Sequence, residues 1–149
     1  MAAVPEPKHA FYHIKLVREG RPAYSELITT PVDAVAFFRK KIAMSVQERF
    51  AALFLNARNV PIGWQEVSRG SVSASIVHPR EVFLPAISLV ASSLILAHNH
   101  PSGDPMPSQD DVDLTRRLKS AGEILGIEIL DHLIITDLDH VSLKERGLL

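Results

Sequence analysis

The run Ser93-Leu94-Ile95-Leu96-Ala97 constrains the fold more than any other segment, because it is short, apolar and continuous. A strand with one wet face alternates polar and apolar residues. An unbroken run suits a central strand covered on both sides. The run delivers His98-Asn99-His100, and a loop rich in proline and glycine follows, Pro101 to Pro107. Ser108 then opens the clearest helical pattern in the chain, with Leu114, Leu118, Ala121 and Leu125 on one stripe and Gly126 placed to end it.

The other elements arrange themselves around this strand–loop–helix unit. Thr30-Pro31 begins a helix that carries Val35, Phe37 and Phe38 and runs to about Ile42 or Met44. Arg49 to Leu55 reads as a buried strand, Asn56 to Asn59 as a polar turn, and Val60 to Ser68 as the second strand of a hairpin. Strict alternation puts Ile62, Trp64, Glu66 and Ser68 on one face of that strand. Val72 to Val77 predicts a further short strand, and Pro79 starts a helix with Val82, Phe83, Ala86, Ile87 and Val90 along its stripe. Pro85 must either sit in the first turns of that helix with a kink or move its start later. Ile127 to Ile135 and Val141 to Leu143 complete the set as strands. Residues 1–30 form an N-terminal arm with two possible short strands, Phe11 to Val17 and Tyr24 to Ile28, and residues 31–149 form the domain.

Composition narrows the chemistry. The 149 residues, 46% of them apolar, are enough for one core. The net charge is -1, and neither sign gathers into a block, which argues against a protein that depends on a phosphate-binding face. There are no cysteines, so any metal must be held by His, Asp and Glu. The start lacks the basic and apolar regions of a secretory signal, and no run reaches the roughly 18 apolar residues of a membrane span, so the expected location is the cytoplasm.

His98 and His100 are two residues apart, and in an extended segment side chains at that spacing project on the same side. Neutral imidazoles are good zinc ligands, and a catalytic zinc commonly takes three protein ligands, so the pair asks for one carboxylate. The helix opening at Ser108 offers Asp110 and Asp111, on opposite flanks of its buried stripe at 100° per residue, whereas Asp113 points away. Asp104 in the loop is a third option. Ser108 as N-cap and Asp111 three residues on make a capping-box-like pair.

The spacing His98-x-His100, seven residues, Ser108-x-x-Asp111, with Glu66 upstream, resembles the JAMM motif of MPN/JAB-domain metalloproteases. His98-Asn99-His100-Pro101-Ser102-Gly103-Asp104, Pro107-Ser108 and Leu130-Asp131-His132-Leu133-Ile134-Ile135 resemble the RadC family in particular, over Glu48 to Leu149. The resemblance implies an α/β fold, a single mixed β-sheet flanked by helices in a cytidine-deaminase-like arrangement. It implies zinc held by His98, His100 and Asp111, with Glu66 as general base and Ser108 as a hydroxyl steadying the oxyanion. The implied activity is zinc-dependent hydrolysis of a peptide or isopeptide bond in a peptide or protein substrate.

Other readings compete with this one. The alternative function is a DNA-repair or DNA-processing accessory protein of the RadC type without protease activity. A contiguous His-Asn-His is not the dispersed motif of HNH nucleases, and a zinc deaminase needs cysteines and an H-x-E pattern. Asn99 alternates away from the histidines, which predicts a structural hydrogen bond. His132 reads as a satisfied core histidine rather than a partner of the metal ligands. The arm could add to the sheet, swap between chains to make a dimer, or guide substrate by strand addition.

Overall fold

The computed structural model describes Lys15, Val17, residues 27–73 and residues 76–149. The expected strands at Phe11 to Val17 and Tyr24 to Ile28 lie almost wholly outside the described residues. Helix α1 spans Pro31–Phe38 and continues into a π-helical turn, Arg39–Ala43. Strands β1 (Arg49–Leu55) and β2 (Pro61–Arg69) form the hairpin. Helix α2 (Pro79–Ser88), strand β3 (Ser93–Asn99), helix α3 (Gln109–Leu125) and strands β4 (Glu128–Ile135) and β5 (His140–Ser142) follow. Among the described residues no helix is long and apolar enough to cross a membrane.

The strands form one sheet in the order β2-β1-β3-β4-β5. Only β3 and β4 run parallel, joined by α3 as the crossover that a parallel pair needs; the other neighbours are antiparallel, so the sheet is mixed. Every residue of β3 is buried, as its continuous apolar run requires. Phe50, Ala52 and Phe54 of β1 and Leu94 and Leu96 of β3 pack with Phe83 of α2 and Leu114 and Leu118 of α3. The intervening residues Ala51, Leu53, Leu55, Ile95 and Ala97 pack on the other face with Ala34, Val35, Phe37 and Phe38 of α1.

Two local features differ from the sequence reading, and one alternative it left open is resolved. Pro85 sits inside α2 rather than displacing its start, and Pro79 still occupies the first turn. No strand forms at Val72, Ser73, Ile76 or Val77; residues 74 and 75 lie outside the described ones. The alternation of β2 is interrupted near both ends, where its register against β1 shifts between Phe50 and Ala51 and between Phe54 and Leu55. Trp64 and Glu66 oppose Leu53 and Ala51, while Ser68 opposes Phe50 and Ile62 packs with the α2–α3 core. The four residues expected on one face are therefore divided between two. A period of two survives only while no extra residue enters the strand.

Candidate metal centre

β3 lies at the middle of the sheet, and its end points His98 and His100 toward the first turn of α3. Register explains the direction: His98 opposes Phe50 and stacks on it, with ring centroids 6.2 Å apart and planes at 26°. Ser108 caps α3. Its Oγ accepts from the Asp111 amide at 3.2 Å, and its own amide donates to Asp111 Oδ2 at 2.7 Å. This reciprocal pair fixes the Asp111 carboxylate at a helix N-terminus, where the macrodipole favours negative charge.

The three side chains converge. His98 Nε2 lies 2.9 Å from His100 Nε2 and 3.1 Å from Asp111 Oδ1, and His100 Nε2 lies 3.5 Å from Asp111 Oδ2. All the ligand atoms fall within 4.8 Å of one another, so His98, His100 and Asp111 could hold a metal ion, the only such group among the described residues. His98 and Asp111 are buried, whereas His100 is partly open to solvent. His100 Nδ1 is 2.8 Å from the Asp104 carbonyl oxygen, which can only accept; Nδ1 therefore carries a proton, and Nε2 faces the centre. The set of two imidazole nitrogens and one carboxylate suits zinc with a fourth position open.

Charge follows this geometry. Burial pushes the Asp111 carboxyl up, but hydrogen bonds from His100 and His98, the charge of His98 and the Ser108 amide outweigh it and hold Asp111 far below the usual carboxylate range. The His100 imidazole is pushed up, first by its hydrogen bond to Asp111, against burial, with help from the Asp104 carbonyl and the charges of Asp111 and Glu48.

The other acids divide clearly. Asp110 is exposed, and the Asp104 carboxylate accepts from the Met106 amide at 3.0 Å. Glu66 is not brought to the centre. It opposes Ala51, on the α1 face of the sheet, beneath the same helix whose Phe37 meets Trp64 edge-on at 6.2 Å. There it pairs with Arg49 and, at 2.9 Å, with Arg69. Burial pushes its carboxyl up, but the Arg69 and Arg49 contacts win and hold it below the ordinary value.

Glu48, the residue before β1, is a further acid whose charge reaches His100. Extending the antiparallel register Phe50↔His98 by two residues places Glu48 opposite His100, on the same face, and its charge acts on His100. Its Oε2 accepts from the Val72 amide at 2.9 Å. The sequence contained one signal for it, a carboxylate immediately before a buried strand. Its use depended on which strand β1 pairs with.

Asn99 turns to the opposite face. Its Nδ2 donates to the carbonyls of Ser45 and Gln47, each at 3.1 Å, and its Oδ1 accepts from the Arg49 amide at 2.7 Å. It thus ties the end of β3 to the entry of β1. His132 was read as an ordinary core histidine. It lies 2.8 Å from His98 Nδ1 and 2.6 Å from Thr115 Oγ1, and burial pushes its pKa well below the usual imidazole value.

A mixed sheet covered by helices on both faces, with two histidines and a helix-capping carboxylate at the end of its central strand, defines an α/β domain with a possible metal centre. The chain belongs to the RadC-like JAB domain family, which it matches over residues 28–148. It is similar to a UPF0758 protein of Geobacillus thermodenitrificans (strain NG80-2), 50% identical over 121 residues, which are 81% of this chain and 54% of the relative. A UPF0758 protein of Caldanaerobacter subterraneus subsp. tengcongensis is 50% identical over 120 residues, 80% of this chain and 52% of the relative. A third, of Bacillus anthracis (strain CDC 684), is 48% identical over 120 residues, 80% of this chain and 53% of the relative. The chain spans about half the length of these curated relatives.

Proposed function

We propose that the domain is a zinc-dependent metallohydrolase acting on peptide or isopeptide bonds, with His98, His100 and Asp111 as ligands. The observation that carries this reading is the convergence of two Nε2 atoms and one carboxylate, with Glu48 opposite His100. A zinc ion held there supplies Lewis acidity and lowers the pKa of a bound water toward about 7.

Glu48, half-buried and tethered at one oxygen by the Val72 amide, takes a proton from the attacking water and passes it to the leaving amine. Ser108 is exposed, and its Oγ accepts from the Asp111 amide, which leaves its own proton to donate to a developing oxyanion. Glu66 is a poor base by comparison, because two arginines stabilise its ionised form and lower its proton affinity.

Metal analysis combined with a peptide-library cleavage screen tests the proposal. About one zinc per chain is expected, with cleavage by the wild type and a loss of about 10²–10⁴-fold in Glu48→Gln. A protein that takes up no zinc, or that cleaves equally well without it, contradicts the reading.

One observation favours the alternative, a DNA-processing accessory role. Arg39, Lys40, Lys41, Arg49 and Arg69 line a single hollow on the α1 side. Glu66 already engages two of these cations, which weakens the hollow as a phosphate site. Binding to duplex and single-stranded DNA across a salt series distinguishes the two functions, since phosphate contacts produce a steep loss of affinity with salt.

A further inference from the structure

We propose that Thr115 and His132 form a buried lock that fixes a proton of His98 on Nδ1 and leaves Nε2 as the nitrogen that faces the metal site. The inference rests on the metal-centre reading only for its purpose; the proton assignment stands on hydrogen-bond geometry.

The chain of contacts begins on α3. Thr115 Oγ1 lies 2.6 Å from the Asp111 carbonyl oxygen, one helical turn back, and 2.6 Å from His132 Nδ1. A hydroxyl has one proton, and a carbonyl can only accept, so that proton goes to Asp111. Thr115 Oγ1 must then accept from His132 Nδ1–H. His132 is fully buried, and none of its ring contacts is to a carboxylate, so the imidazole is neutral and its Nε2 bears a lone pair. That lone pair sits 2.8 Å from His98 Nδ1, which must donate. His98 therefore keeps a proton on Nδ1, and Nε2 is the nitrogen that faces His100 and Asp111.

Packing holds the relay rigid. Phe50 stacks on His98 and meets His132 edge-on, with centroids 5.4 Å apart and planes at 78°. The Asp131 carboxylate fixes the backbone beneath it, accepting from the His132 amide at 2.7 Å and the Ser142 hydroxyl at 2.6 Å. The same residue of α3, Asp111, thus offers its carboxylate to the centre and its carbonyl to the start of the relay. His132 and Thr115 are positioning residues, acting through His98. Partners of this kind, behind metal-ligating histidines, typically change metal affinity 10–100-fold when removed.

The test is long-range 1H–15N NMR of 15N-histidine-labelled, metal-free protein, with zinc affinity as a second readout. In the wild type, His98 and His132 should both carry a proton on Nδ1. Thr115→Val should return His98 to a mixture of tautomers and weaken zinc binding on the order of 10-fold or more, and Thr115→Ser should restore both. A His98 without a proton on Nδ1 in the wild type overturns the proposal, as does a Thr115→Val protein with unchanged His98 protonation and zinc affinity. The wild-type spectrum decides the matter alone if Thr115→Val does not fold. A wild type with the predicted tautomers but no zinc uptake upholds the lock and overturns the metal-centre reading.

Discussion

Adjacent residues of β3 make two different kinds of contact. His98 faces α3 and His100 faces the same way, where their neighbours are the Asp111 carboxylate and Glu48, and among the described residues no lysine or arginine hydrogen-bonds to Asp111. Asn99, between them, faces α1, where all its polar contacts are to backbone and the nearby acid, Glu66, is matched by Arg49 and Arg69. One face leaves lone pairs and negative charge directed at a common point, which a cation can satisfy. The other satisfies its polar groups internally. The difference lies in the partners of the acids: Glu66 is paired with two arginines, whereas Asp111 sits among imidazoles.

The largest expected effect comes from removing the acid on the α3 face. Asp111→Ala should abolish stoichiometric zinc binding, measured by calorimetric titration, because it deletes a ligand and also the cap that orients α3. Retained full zinc uptake would break the contrast between the faces. Asn99→Ala should do the reverse. It leaves the carbonyls of Ser45 and Gln47 and the Arg49 amide without their partner, so thermal or chemical unfolding should report a loss of about 2–3 kcal/mol. Its zinc stoichiometry should stay at that of the wild type.

Smaller effects sharpen the comparison. Glu66→Gln should cost about 1 kcal/mol in unfolding free energy, since the Arg49 and Arg69 contacts are only partly buried. The pH dependence of the metal-free protein should separate the groups further. His100 is raised, so its share of stability is complete below the unfolded imidazole value of about 6.5 and fades as pH rises through the higher folded value. Asp111 is lowered, so its share is present above the unfolded carboxylate value of about 3.9 and is lost only as pH falls through its lower folded value. Zinc must displace the His100 proton, so zinc affinity should rise with pH through the His100 transition, with proton release detectable by titration in buffers of different ionisation enthalpy.

Much of the fold was legible because its strongest signals are local. The continuous run at β3, the capped stripe of α3 and the Thr30-Pro31 start of α1 each depend on residues within a few positions of one another. The same holds for the His98–His100 pair. Helical phase left Asp110 and Asp111 tied, and the resemblance to the JAMM motif preferred Asp111; burial separates them, since Asp110 is exposed and Asp111 is not. Glu48 was missed because its relation to His100 is set by strand register across about fifty residues, and Glu66 drew attention because it lay on an evident strand. His132 is buried and satisfied, as its sequence context implies, but its partners were not legible there. Its partners are Thr115 and His98, from two other elements, and no periodicity in its own strand encodes them.

The most direct test compares zinc-loaded wild type, Glu48→Gln and Glu66→Gln for cleavage of the same peptide, with metal content measured on each sample. Both variants should keep the wild-type zinc content. Glu48→Gln should lose about 10²–10⁴-fold in kcat, and Glu66→Gln should cleave at close to the wild-type rate. A Glu66→Gln protein that binds zinc but is inactive, beside an active Glu48→Gln, would contradict the assignment of the chemistry to the α3 face.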